Sequence, residues 1–241
     1  MIMHVVGDSY CSPRVCVTPK NSFWGLAATE LQCTEILNYS FSGNCVDNII
    51  HLLLNGTFDF DNSYFLIGVP PLVRYSICND VRGLTPHNRD IHIYTPLFEE
   101  CVDKVECMQT IGAKPFAETF TNDKQYVSFF NSEWNTVLNL EKIYLLDSWL
   151  RTKTCKFIIL NLSSPIPYQS EWPPAADIMQ KCINLDNCLL FGDTYQTINK
   201  LDGIQPVDFH QYGWQGHHGE EGNLNYYNKI VLPKMQELGW I

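Results

Sequence analysis

Two short stretches at opposite ends of the chain hold the side chains best suited to proton-transfer chemistry. Near the start, Gly7-Asp8-Ser9-Tyr10 closes a short, mostly apolar run from Ile2 to Val6. Near the end, Asp208-Phe209-His210 and then Gly216-His217-His218-Gly219-Glu220-Glu221-Gly222 put three of the seven histidines within nine residues. A serine hydroxyl is a weak nucleophile until a neighbouring base takes its proton, and imidazole titrates in the range that suits that task. Ser9 is the candidate nucleophile and His217 the candidate base, with His218 and His210 as rivals. The plainer alternatives are that Gly-Asp-Ser is ordinary turn chemistry and that each histidine is structural. A third reading is a metal site from Asp208, His210, His217 and His218, since imidazole and carboxylate suit zinc or a first-row transition metal. No His-x-x-x-His or similar helical spacing backs it, so no metal and no cofactor is expected.

These residues need elements to hold them, and the hydrophobic pattern supplies them. Residues 2–6 read as a buried strand, and Ser12-Pro13 offers an N-cap followed by a helix-compatible proline. A serine at the carboxyl end of a first strand sits where open α/β sheets place their ligands, among amides that can stabilise negative charge. The spacing predicts helices over 21–31 and 45–54 and strands over 35–39 and 63–68, the last broken by Pro70-Pro71. This strand–helix alternation is the pattern of a parallel sheet with crossover helices. Residues 72–131 show no clean period and are expected to be an insertion or lid of loops and short helices. A long helix capped by Ser132 runs to about residue 151, followed by a strand over 156–160, a helix over 173–183 and a strand over 188–191. After an irregular stretch, a final helix over 222–238 is expected to bury Leu224, Tyr227, Ile230, Val231 and Met235. No internal repeat or low-complexity linker appears, so 1–241 is read as one α/β domain with about five strands and an insertion after the third.

Bulk properties limit the partners. The 241 residues are 45% hydrophobic and 17% charged, enough for a sizeable core. A net charge of −10 argues against nucleic acid or an anionic membrane surface as the main partner. No stretch approaches the roughly 20 apolar residues of a membrane span. Met1 leads almost directly into the first strand without the features of a secretory signal. The ten cysteines include no Cys-x-x-Cys pair. They are expected to be mostly reduced, buried residues of a cytoplasmic protein, and the sequons at Asn38, Asn55 and Asn161 to be chance matches.

Taken together, Gly7-Asp8-Ser9, Asn38-x-x-x-Ser42-Gly43, a glycine closing the third strand at Gly68, and His217 five residues before Gly222 resemble the SGNH (GDSL-like) hydrolases. The resemblance spans Gly7 to Gly222 and leaves the insertion unmatched. It implies a flavodoxin-like three-layer α/β/α sandwich with a central parallel sheet. It also implies that Ser9 attacks an ester carbonyl with His217 as base and Asp208 orienting it. Oxyanion donors would be the amides of Ser9 and Gly43, and Asp8 would hold the loop. Two positions depart from the family pattern. Pro70 stands where the family has an asparagine, so that donor is lost unless Asn44 or Arg74 replaces it. Trp214 and Gln215 stand where the aspartate is usual, leaving Asp208 as the nearest upstream carboxylate.

The function expected is therefore a serine esterase, deacylase- or acetylesterase-like, acting on a carbohydrate or other small ester. Tyr94, Phe98, Phe116 and Phe120 of the insertion would line its substrate wall or simply form the insertion's own core. The alternative is a binding or assembly module that keeps the fold with a degenerate site. The odd third block and the Gly222-Asn223-x-x-Tyr226-Tyr227 helix are similar to bacteriophage members of the family.

Overall fold

The computed structural model describes residues 1–12, 18–40, 44–70, 72, 75–78, 91–94, 108–111, 132–162, 166, 173–207 and 217–241. Five parallel strands form its central sheet: β1 (Ile2–Val6), β2 (Glu35–Asn38), β3 (Ser63–Val69), β7 (Lys156–Asn161) and β8 (Cys188–Leu189), in the order β2-β1-β3-β7-β8. From β1 the chain moves one place outward to β2, then crosses back to β3 on the far side of β1. The reversal leaves a crevice between the carboxyl ends of β1 and β3, the place where open α/β sheets bind ligands. Ser9 lies three residues beyond the end of β1, at that crevice.

Strand residues alternate between two faces, and each face builds its own core. Met3 and Val5 of β1, Tyr64 and Leu66 of β3, and Ile158 and Leu160 of β7 pack with Phe23, Trp24 and Ala27 of α1 (Phe23–Glu30). The same core takes Tyr195 and Ile198 of a helix over Tyr195–Leu201, and Tyr226, Val231 and Met235 near the C-terminus. On the opposite face Val6, Phe65, Ile67, Val69, Phe157 and Ile159 meet α2 (Val46–Asn55), α3 (Ser132–Leu150) and α4 (Pro173–Ile183). Both faces are covered, which is why β3 is buried at every position and reads as an unbroken apolar run. This is the flavodoxin-like three-layer α/β/α sandwich with an insertion after its third strand.

Several elements differ from the sequence expectation. The first helix starts at Phe23, after a 3-10 turn at Pro19–Asn21, because Ser22 caps it by accepting from the Gly25 amide at 3.0 Å. Ser132 is the first helical residue of α3 and not its cap. The last strand stops at Leu189. Within 72–131, β4 (Tyr75–Cys78), β5 (Ile91–Tyr94) and β6 (Met108–Ile111) pair antiparallel in the order β4-β5-β6, where loops and short helices are expected. Four-residue strands carry too few alternations to stand out from their neighbours. Tyr94 ends β5, whereas Phe98, Phe116 and Phe120 lie outside the described residues.

The expected irregular stretch before the last helix contains α5 (Tyr195–Leu201), opened by a capping box in which Thr194 and Thr197 bond reciprocally. The final helix starts at Glu220, two residues early, and is broken by a π-turn at Tyr227–Val231 between α6 (Glu220–Tyr226) and α7 (Leu232–Glu237). Pro233 has no amide to offer Lys229, and its ring crowds that carbonyl, so the ladder widens just upstream. The extra residue shifts the phase of the buried stripe. Leu224 is consequently exposed, while Tyr226 and Tyr227 are both buried. Among the described residues no helix is long and apolar enough to cross a membrane.

Candidate active site

The serine loop is a pair of overlapping turns. The Cys11 amide donates to Asp8 O at 3.1 Å and the Ser12 amide to Ser9 O at 3.2 Å. Asp8 is fully buried, and its Oδ1 accepts the Tyr10 amide at 3.1 Å, so its carboxylate holds the turn. The Ser9 amide stands outside these bonds, and the Ser9 hydroxyl makes no hydrogen bond among the described residues. Ser9 itself is 9% exposed, so the loop is packed into the fold with a small opening at the hydroxyl-bearing residue.

Close backbone contact explains two glycines here. A Cβ on Gly68 would lie 2.4 Å from both Cys11 Sγ and Leu162 Cδ1, and one on Gly7 would lie 2.8 Å from the same sulfur and 3.0 Å from Gly68 O. The end of β3 and the serine loop thus approach as closely as they do only because both lack side chains at the contact. The Cys11 thiol wedged between them is no rival nucleophile. Burial first, and the charge of Asp8 second, push its pKa well above the usual thiol value.

Two asparagines brace the loop from the second strand's end. Asn38 Nδ2 donates to Cys11 O at 2.7 Å, while its Oδ1 accepts the Ser40 amide at 2.8 Å. Asn44 Nδ2 donates to Gly7 O at 2.9 Å, and its Oδ1 accepts the Cys45 amide at 2.9 Å, just ahead of α2. The Asn44 carboxamide is therefore engaged in holding the β1 terminus, a role that its sequence position did not suggest. Gly43, between the two, lies outside the described residues, as do Arg74, Asp208 and His210. Pro70 is buried directly after β3 and, as proline, presents no amide there.

Of the two candidate histidines that are described, both buried, His217 packs on the residue after the serine. Its ring lies 5.0 Å from the ring of Tyr10, the residue after Ser9, whereas the His218 ring meets Tyr195 edge-on at 5.4 Å. Tyr10 is in turn 5.4 Å from Tyr195, and Gln196 donates its side-chain amide to the Tyr10 hydroxyl. The backbone of the histidine turn is tied down as firmly: the Val207 amide donates to His217 O at 2.8 Å. A Cβ on Gly222 would lie 2.3 Å from His218 Cβ, so the turn packs onto the first turn of α6 at a glycine. At the start of that helix Glu220 accepts from Asn21 Nδ2 at 2.5 Å and from Thr18 Oγ1 at 3.4 Å. Tyr195 is absent from the sequence motifs above, whereas Tyr10, Asn38 and Asn223 stand in them without an assigned role. The Thr194-x-x-Thr197 box was a local signal for α5, and hence for Tyr195.

No family model matches the sequence, and no curated protein matches it. Similar solved structures include TesA, at 12% identity over 99% of this chain and 99% of that chain, with a TM-score of 0.50. An acetyl xylan esterase from Geobacillus stearothermophilus is 10% identical over 97% of this chain and 94% of that one, with a TM-score of 0.48. A phospholipase A1 from Streptomyces albidoflavus NA297 is 13% identical over 97% and 98%, with a TM-score of 0.46. At 12% identity the likeness to TesA is one of fold.

Proposed function

We propose that this chain is an SGNH-type serine hydrolase that cleaves an ester, with Ser9 as nucleophile and His217 as base. The observation that carries the reading is the His217 ring against Tyr10, which brings an imidazole from the far end of the chain to the residue beside Ser9. Its position at the topological switch point, on a turn held by Asp8, Asn38 and Asn44, supports it further. In the proposed step the Ser9 Oγ forms a bond to the ester carbonyl carbon as His217 takes the hydroxyl proton. The amides of Ser9 and Gly43 stabilise the oxyanion, one such donor contributing about 3 kcal/mol in the transition state. Collapse expels the alcohol, which takes the proton from His217, and water then releases the acid from the acyl-serine by the same route in reverse. Asp208 is the proposed carboxylate partner of the histidine, and Arg74 a proposed further donor where Pro70 supplies none. An acetyl or similarly small acyl group on a carbohydrate or other small alcohol is the proposed substrate.

The test is covalent labelling with a fluorophosphonate followed by intact mass. Wild type should gain one adduct, Ser9→Ala none, and His217→Ala should label at least about a hundredfold more slowly while remaining folded. His218→Asn should label within a few fold of wild type. Labelling that survives Ser9→Ala removes this mechanism. A folded wild type that takes no adduct favours the second reading, a binding module that keeps the fold, for which Pro70 in the third block is the specific support.

A further inference from the structure

The carbonyls of His218 and Gly219, the two residues after His217, share one side-chain donor. Asn223 Nδ2 lies 3.2 Å from His218 O, 3.0 Å from Gly219 O and 3.0 Å from the Tyr195 hydroxyl. The Tyr195 hydroxyl donates onward to His218 O at 3.2 Å, closing a ring of contacts around that carbonyl. On its other side Asn223 Oδ1 accepts the Phe23 amide at 3.1 Å, at the first turn of α1. Asn223 and Tyr195 are each 2% exposed. One carboxamide thus joins α1, α5 and α6 to the two residues that follow His217.

We propose that Asn223 and Tyr195 are positioning residues of this site: together they fix the His217–Gly219 turn, and with it the imidazole, against Tyr10. The proposal rests on the serine-hydrolase reading above. Its physical basis is that the sequence has Trp214 and Gln215 where a carboxylate would otherwise steady the histidine from nearby. A base on a turn gains rate from being held in register with its nucleophile, because small misplacements cost large factors. Here the hold is on the backbone. These bonds end on carbonyl oxygens and not on the imidazole ring. The Asn223 side chain also has two separable halves. Its oxygen caps α1, while its nitrogen holds the histidine turn.

Two variants separate positioning from mere stabilisation. Asn223→Asp keeps the oxygen that accepts from Phe23 and loses the donor to both carbonyls. Tyr195→Phe loses one hydroxyl and keeps the ring against Tyr10 and His218. The readout is the fluorophosphonate labelling rate per folded molecule, with the folded fraction taken from near-ultraviolet circular dichroism. We expect Asn223→Asp to label at least about tenfold more slowly and Tyr195→Phe about fivefold more slowly. A helix-capping role alone would leave Asn223→Asp at the wild-type rate. Wild-type rates in both variants, or in Tyr195→Phe alone if Asn223→Asp does not fold, overturn the proposal. A folded wild type that takes no adduct overturns the serine-hydrolase reading, and this proposal with it.

Discussion

At the scale of single residues, the site is defined by what holds its carbonyls and by where side chains are missing. Gly7 O, Cys11 O and His218 O each accept from a buried or half-buried side-chain amide, from Asn44, Asn38 and Asn223 respectively. Unpaired, such groups would each cost about 1–3 kcal/mol. The glycines matter in the opposite way. Gly222→Ala gains up to about 1 kcal/mol of helix propensity, but its Cβ would meet His218 Cβ at 2.3 Å. That contact is with the stiff root of a side chain, which cannot swing aside, and overpacking of this kind costs about 1–3 kcal/mol. Gly222→Ala should therefore lower the thermal midpoint and slow fluorophosphonate labelling together. An unchanged midpoint would mean that the turn yields freely.

At the scale of elements, β1 carries a histidine inside the sheet. His4 stacks on Phe65 at 4.6 Å, stands edge-on to Phe58 at 5.2 Å and bonds Ser63 Oγ through Nε2 at 3.1 Å. Burial lowers its pKa, an effect that the charges of Asp59 and Glu35 only partly offset. The sign follows from linkage. The folded state resists a proton that the unfolded chain accepts near the ordinary value of about 6.5, so the contribution is intact above that pH and lost below it. His4→Phe should unfold with a shallower decline in thermal midpoint than wild type between about pH 7.5 and pH 5. Identical slopes would show that His4 titrates with the same pKa in both states. The C-terminal helix makes a related point about periodicity: one π-turn ahead of Pro233 exposes Leu224 and buries Tyr226 beside Tyr227.

At the scale of the whole molecule, the sheet divides the interior into two cores, and the described cysteines report on both. Six whose side chains are described are free thiols: Cys11, Cys45, Cys182 and Cys188 are buried, Cys33 and Cys155 half-buried. Burial pushes Cys182 up to about 12 and Cys155 up to about 11, and raises Cys188 further still. The thiolate is the reactive form. Of these six, native protein treated with iodoacetamide at neutral pH should be modified first, and slowly, at Cys33 and Cys155. The other four should react only on unfolding, as read by peptide mass mapping. Fast modification of Cys182 or Cys188 in the native state would show that the face covered by α3 and α4 opens readily.

The sequence by itself determined whatever local physics controls. The apolar runs that became β1, β3 and β7, the helical stripes between them and the serine at the first strand's end were all legible, because burial on both faces writes itself into consecutive residues. The four-residue strands of the insertion and the short α5 were not, since too few residues carry each period. Only the tertiary structure decided which histidine meets Tyr10. Adjacent residues on a turn point in different directions, and the choice is made by the packing of Gly222 and the hold on His218 O. The same is true of Asn223, whose partner Phe23 lies 200 residues away in the chain. Such pairs depend on how helices seat on a twisted sheet, and no sequence period records that.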